Sequence, residues 1–513
     1  MRRSNTRPWA AGWLAAAVAA RHVAGLRHLR RSLEWLAQPV SEAEMTDTPV
    51  HMIVPVLREQ QHVAAALEWF TALLERMPGS TLTVVTTARE EHERQHLAAL
   101  LAEQGDQPVT GRRFPQLTAA ELDTVVAAQA AAPGHALTRA HAATVLGRFP
   151  LTRDVVAREL EGDRYRGAAV RHVHYPGDGR KAAQVNHAVT HLDADSQSYV
   201  AVYDVDSRPT PEVMAATLAF IGHRRAADGA LPAVLQQPAR HTTRATSPHA
   251  WERMICRGAA DLQTLWTLRR EIPYVRRYGQ MIGRAGRLPW WDAVRAGVSQ
   301  PVGHGLFVRG DVFADLGGLP DFTVLDDVPF GYRLTMERIP VESVPVTLVA
   351  DAPEDVRELL AQSRRWFQCN LDYPKVARAA RAAGSGSMAA HVAALAVCFY
   401  RGAAWLSASP ATAACLLVAV DRRHRPPVRT AAIAALAWGV AVPVVVLTRA
   451  DRQPLTAGGI TRRSAGVLAA YLLRSIGPWQ AVARTVAGRP AGPFAPKANS
   501  RTVVDPRNGK DPR

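Results

Sequence analysis

Cysteine and lysine are both scarce in this chain of 513 residues. The four cysteines, Cys256, Cys369, Cys398 and Cys415, share no short spacing. That argues against a zinc cage or a disulfide framework and fits a reducing compartment. Lysine stands only at positions 181, 375, 497 and 510, so nearly all the positive charge is arginine. Long apolar runs are missing from the first part of the chain. The uncharged stretch from Pro8 to Ala20 is interrupted by Arg21 and His22 before it reaches bilayer length.

What is present narrows the class further. Hydrophobic residues make up 48% and mean hydropathy is −0.09, which excludes a mainly disordered chain and one built of membrane helices from end to end. Lys+Arg is 62 against 45 for Asp+Glu, a net charge of +17. Charge of that size implies an anionic partner: a phospholipid surface, a nucleotide or nucleic acid. The arginines cluster beside apolar segments and no recognition motif appears, which turns the reading away from nucleic acid. The length suits about two to four structural units.

Residues 1–48 read as a basic amphipathic helix. Three readings fit it: a helix on a membrane surface with Trp9 and Trp13 in the interface, a helix docked on the next domain, or a secretory signal. Residues 49–383 alternate short apolar strand runs with helical patterns, at His51–Leu57, Thr81–Thr86, Ala169–His174 and Tyr199–Tyr203. This predicts an α/β domain on a mostly parallel sheet, whose ligands bind at the carboxyl ends of the strands. A helical insertion is expected over about 91–165, with Thr118 and Glu121 forming a capping box.

Residues 384–486 read as a small α-helical membrane region after the linker Gly384–Ser387. The apolar run Thr430–Thr448 is long enough to span a bilayer. Met388–Tyr400 and Gly402–Val420 read as runs split by Arg401 and kinked near Pro410, and Gly466–Val486 as a weaker run. Both connecting loops are rich in arginine, so the positive-inside rule does not orient them. Residues 487–513 read as a disordered tail.

Four stretches carry candidate chemistry. Asp204 and Asp206 end a strand two residues apart and point the same way, which suits a hard divalent ion bridging to a diphosphate. The pair Asp193 and Asp195 has no strand before it and reads as a solvated turn. Lys181 opens a helix after two glycines, where an ammonium can meet phosphate. An exposed position would accept arginine, so one of four lysines kept here points to a compact cation. Asp326 and Asp327 precede an apolar helix, either as partners of its dipole or with one acting as a general base. Gln362, Arg365 and Trp366 share one helical face.

The order of these motifs resembles the family 2 inverting glycosyltransferases of GT-A fold, in the membrane-bound branch of cellulose, chitin and hyaluronan synthases. IVPVLREQ resembles the opening strand, with Pro55 and Glu59 matching. GRKAAQVNHA resembles the stretch that puts Lys181 and Asn186 near the nucleotide. Asp204-Val-Asp206 matches D-x-D, and LQQP resembles the stretch read as v-Q-t-P. GHGLFVRGDVFADLGGLP, with His304, resembles the acceptor-side stretch. LDD matches T-E-D, and Gln362 to Trp366 fits Q-x-x-R-W. The chain departs from the pattern at Thr86 and Thr87, where strand two normally carries an aspartate, and at Asp326 in place of glutamate.

The resemblance implies a GT-A, Rossmann-like catalytic domain that transfers a sugar from a nucleotide-diphospho-sugar to a saccharide or lipid-linked hydroxyl. It implies Mg2+ or Mn2+ on Asp206 and Asp204, with Pro55, Glu59, Lys181, Asn186, Asp204 and Arg365 toward the donor. Asp327 would be the base, with His304, Asp326, Gln362 and Trp366 toward the acceptor. The domain would face the cytoplasm at the plasma membrane among membrane lipids. Export of a polysaccharide would need a partner protein. The alternatives are single addition to a polyprenyl phosphate or glycolipid, and a non-catalytic membrane scaffold of the same fold.

Overall fold

The computed structural model describes residues 23–38, 45–111, 113–114, 116–162, 165, 167, 169–283 and 297–488. The tail expected over 487–513 and the segment holding Trp9 and Trp13 lie almost wholly outside these residues. The described chain forms two compact units that do not follow linear order. One comprises Asp47–Arg208 and Val308–Asp321; the other comprises Pro209–Phe307, Phe322 onward and the helix at 23–36.

That helix, α1, belongs to the second unit. Leu26, Leu29 and Trp35 are buried with Leu265, Leu268, Ile272 and Leu447, so its described part is a docked helix.

The first unit is built on parallel strands. β1 (Val50–Pro55) is buried along its whole length, as a strand covered on both faces must be. Helix α2 (Gln60–Leu74) buries Val63, Ala66, Leu67, Phe70 and Leu73, one helical stripe. β2 (Thr81–Thr87) pairs with β1 in parallel. Four helices follow: α3 (Arg89–Glu103), α4 (Ala119–Ala131), α5 (Arg139–Leu146) and α6 (Thr152–Glu161). The first three of them, with the loop after α3, bury a cluster of their own around Leu101, Phe114, Val125 and Leu146. Thr118 caps α4 in a full capping box with Glu121. Glu121 also accepts from Arg58 Nη2 at 2.8 Å, tying the insertion to the turn after β1.

β3 (Val170–Tyr175) pairs with β2, helix α7 (Lys181–Val189) follows, and β4 (Tyr199–Val202) pairs with β1. The order is β3-β2-β1-β4, all parallel. The carboxyl edges of β1 and β4 adjoin, because Tyr203 N–H donates to Ile53 O at 3.0 Å. Asp193 and Asp195 lie exposed in the turn before β4, as expected.

The second unit continues with α8 (Pro211–Asp228), β5 (Val234–Gln236), β6 (Ala239–Thr242), α9 (Ala250–Trp266) and α10 (Ile272–Gly283), the last two joined by a π turn at Thr267–Glu271. The chain passes between units along β7 (Leu306–Arg309), then forms α11 (Gly310–Asp315) in the first unit. Back in the second unit come α12 (Asp327–Met336), β8 (Val341–Ser343) and β9 (Leu348–Asp351). β5 pairs with β8 and β6 with β9, again in parallel.

The remainder is helical: α13 (Val356–Ala382), α14 (Met388–Leu406), α15 (Ala408–Val420), α16 (Pro426–Ala450), α17 (Ala457–Leu473) and α18 (Ile476–Val486). Arg401 does not split α14 as expected. Its guanidinium donates to Val298 O at 3.1 Å and lies 5.1 Å from the Tyr274 ring centroid, so the helix runs on to Leu406. The last expected run breaks at Arg474–Ser475 into α17 and α18. Among the described residues two helices, α14 and α16, are long and apolar enough to cross a membrane.

Candidate functional site

The first unit gathers charge at the carboxyl edge of its sheet. β4 ends at Val202, and in the residues that follow Tyr203 and Val205 are buried while Asp204 and Asp206 are partly exposed. Thr210 caps α8 with Pro211 in its first turn. Lys181 is the first residue of α7, and its Nζ donates to Asp204 Oδ1 at 2.5 Å. Pro55 is buried at the end of β1, and Glu59 stands at the N-cap of α2. Glu59, Lys181, Asp204 and Asp206 therefore follow adjoining strands or begin a helix at one sheet edge, where anionic ligands of such sheets bind.

Asn186 is bonded to the chain beyond α11. Its Nδ2 donates to Leu319 O and its Oδ1 accepts from Leu319 N–H, both at 2.8 Å. The amide clamps the Gly317-Gly318 turn. Gly318 has φ +83°, and a Cβ there would lie 2.5 Å from Asn186 Oδ1, so only glycine fits.

The described residues contain no group of three or more His, Cys, Asp or Glu side chains fit to hold a metal alone. Two carboxylates at a strand end suit a Mg2+-like ion, which takes one or two carboxylates and completes its shell with phosphate and water oxygens. The donor set at Asp204 and Asp206 fits that chemistry.

The second unit holds the other candidate residues. Asp327 is the first residue of α12, with Asp326 at its N-cap. Asp327 Oδ2 accepts from Gly303 N–H at 3.1 Å, and Oδ1 from Val328 N–H at 2.8 Å. The loop carrying Gly303 and His304 is organised by a residue whose role the sequence does not reveal. Gln236 Nε2 donates to His304 O at 2.9 Å, and its Oε1 accepts from Val302 N–H at 2.7 Å. The loop also rests on α12, where Gly331 leaves room: a Cβ there would lie 2.3 Å from Ser299 O.

His304 stands near His241, whose imidazole burial pushes down to about 3, with further lowering from His304. His241 is therefore neutral at physiological pH.

Asp355 caps α13, and one face of that helix buries Leu359, Ser363 and Phe367. Gln362, Arg365 and Trp366 are each only partly buried on the rest of the helix. Gln362 Oε1 accepts from Gln263 Nε2 at 2.9 Å, joining α13 to α9. The structure thus brings Asp327, Gly303 and His304 together in one unit, with Q-x-x-R-W on a helix of that unit.

Residues 286–445 match the family described as Glycosyl transferase family group 2. The chain is a glycosyltransferase. The matched stretch includes Gly303, His304, Asp326, Asp327, Gln362, Arg365 and Trp366, and all of α14 and α15. Among solved structures the glycosyltransferase is similar to "Mannosyltransferase PcManGT from Pyrobaculum calidifontis in complex with GDP-Man and Mn2+", at 15% identity over 92% of this chain and 99% of that chain, with a TM-score of 0.42. No curated protein matches it.

Proposed function

We propose that this glycosyltransferase moves a sugar from a nucleotide-diphospho-sugar to a hydroxyl of a saccharide or glycolipid, with inversion at the anomeric carbon. The carrying observation is the cluster at the carboxyl edge of β4, where the helix-opening Lys181 meets Asp204 two residues before Asp206. An ammonium and two carboxylates in that position suit a metal-bridged diphosphate, and Mg2+ or Mn2+ on Asp206 and Asp204 would supply charge to the leaving group. Lys181 and Arg365 add positive charge for the departing diphosphate. Glu59 and Pro55 line the donor end, and Asn186 holds the Gly317-Gly318 turn beside it.

Asp327 takes the proton of the attacking hydroxyl. Each of its oxygens has two lone pairs, so each can hold an amide and still accept a proton. One base is enough, because inversion forms no covalent intermediate. Trp366 presents an aromatic face to the acceptor sugar, with Gln362, His304 and Asp326 as polar partners. The reaction belongs at the cytoplasmic face of the plasma membrane, where nucleotide sugars are found, in the synthesis of a polysaccharide exported by a partner protein.

A second reading is single addition to a polyprenyl phosphate or glycolipid. It is favoured by the small helical region, which has two span-length helices among the described residues.

A screen of nucleotide-sugar donors on membranes carrying the full chain, with and without Mn2+, tests the main reading. Transfer is expected with at least one donor, lost on chelation and in Asp206→Asn. Metal-independent transfer by Asp206→Asn at the wild-type rate would remove the metal role. Product length separates polymerisation from single addition.

A further inference from the structure

Helix α9 does not stop at Trp266 but passes through the π turn at Thr267–Glu271 into α10. Such turns insert a residue into the helical ladder, re-aim the downstream helix and recur at functional sites. Here the turn carries a carboxyl group inward. Thr267 Oγ1 donates to Glu271 Oε2 at 2.9 Å. The other oxygen, Oε1, is buried and has no hydrogen-bond partner among the described residues, in a residue only 5% exposed. Ser299 Oγ is likewise buried with no partner among the described residues. Leaving such groups unmatched costs stability, so each calls for a reason.

Both residues line one small cavity of about 10 Å³, space for a single water or hydroxyl. Its floor is buried: Glu271, Val275, Val298 and Ser299. Trp266, Tyr274, Gln300 and Arg401 complete the wall and are only partly buried, so the cavity has a rim that reaches the surface. Arg401 is held by Val298 O and the Tyr274 ring, and Gln300 Nε2 donates to Tyr373 Oη at 3.1 Å. An aromatic and cationic rim over a carboxyl floor is the chemistry that recognises a sugar: ring faces for its C–H groups and fixed acceptors for its hydroxyls.

The cavity is also connected to Asp327. Ser299 N–H donates to Thr335 Oγ1 at 2.9 Å, and Ser299 O lies against Gly331, both on the helix that Asp327 opens. Burial pushes the Glu271 carboxyl up to about 7, and the negative charge of Asp327 adds to the rise.

We propose that this cavity is an acceptor subsite, in which one sugar hydroxyl enters past Trp266 and Tyr274 and hydrogen-bonds to Glu271 Oε1 and Ser299 Oγ. The assignment of a saccharide rests on the transferase reading above. The site itself is read from the cavity and its two unmatched oxygens.

The test uses the full chain in a detergent with a choline head group, with no donor present. Methyl α-mannopyranoside, methyl β-glucopyranoside and N-acetylglucosamine are titrated in turn, and tryptophan fluorescence is read. At least one sugar should give a saturable change, which Trp266→Phe removes. Glu271→Gln and Ser299→Ala should each weaken that sugar tenfold or more. Thermal melting confirms that each variant is folded, and Ser299→Ala decides the matter if Glu271→Gln is not. No saturation with any of the three sugars overturns the proposal. So does wild-type affinity in the folded variants, which would leave a cavity holding structural water only. Nucleotide binding is measured separately, so failure of the donor reading and failure of this subsite are told apart.

Discussion

Gly303 donates its backbone N–H to Asp327 Oδ2 at 3.1 Å, so the loop before β7 and the first turn of α12 are locked at one carboxylate. That lock depends on a close approach one turn further along the helix. A Cβ on Gly331 would lie 2.3 Å from Ser299 O and 2.5 Å from Pro301 Cδ. Gly331→Ala should push the loop off α12 at a cost of about 1–3 kcal/mol. Chemical denaturation would show the loss of stability, and transfer should fall with it. A variant as stable and active as wild type would mean the loop does not need this contact.

Lys181 sits at a helix start with Nζ 2.5 Å from Asp204. Arginine, the chain's usual cation, has a longer planar head that does not fit a point contact. Lys181→Ala should raise the KM for the nucleotide sugar about ten- to hundredfold, as loss of a charge-assisted bond to phosphate does. Lys181→Arg should recover only part of it. Steady-state kinetics with varied donor concentration decide this, and an unchanged KM in both variants would move the donor elsewhere.

Glu271 gives the fold a pH dependence of definite sign. Its folded pKa, about 7, lies above the ordinary glutamate value of 4.5. Between those values the folded state binds more protons than the unfolded, so stability falls as pH rises. The fall amounts to about 3 kcal/mol between pH 4.5 and pH 8 from this group. Denaturation of wild type and Glu271→Gln at several pH values tests it. The variant should lose most of that slope, and parallel slopes would contradict the assignment.

The apolar helices leave large side chains in the open. Phe399 and Tyr400 on α14, Trp438 on α16 and Trp479 on α18 are all exposed. Arg422, Arg423, Arg425, Arg449 and Arg452 are exposed at the helix ends. Full-length protein should therefore sediment with vesicles containing anionic phospholipid. Replacing Trp438 and Trp479 with alanine should weaken binding about tenfold or more, and raised salt should weaken it further. Equal recovery of both proteins with the vesicles would argue against contact through these faces.

Much of this was legible in the amino-acid order, and the exceptions have physical causes. β1 and β4 are largely apolar runs, as parallel strands covered on both sides require, and β2 keeps Leu82, Val84 and Val85 among its threonines. Asp204 and Asp206 stood out because a strand run precedes them, and Lys181 because lysine is so rare. Gln236 stood out only as part of LQQP, not as the residue that holds the loop, and Glu271 did not stand out at all. Gln236 is a polar residue whose partners are backbone atoms 66 and 68 positions away. Glu271 follows Arg269 and Arg270 in a charged stretch that carries no motif, and it is the structure that places it, buried, at the end of the π turn. Arg401 read as a break for the opposite reason: a charge in an apolar run looks unpaired until Val298 O and Tyr274 are in place.

The proposed chemistry turns on Asp327 taking the acceptor's proton. Asparagine is the same size and can still accept an amide hydrogen bond, so Asp327→Asn removes the base with little change in shape. Transfer of radiolabelled sugar by wild type and Asp327→Asn, at saturating donor and Mn2+, measures this directly. The variant should lose about a hundred- to ten-thousandfold, the usual size of a general-base contribution. Transfer by a folded Asp327→Asn protein at the wild-type rate would rule out Asp327 as the base.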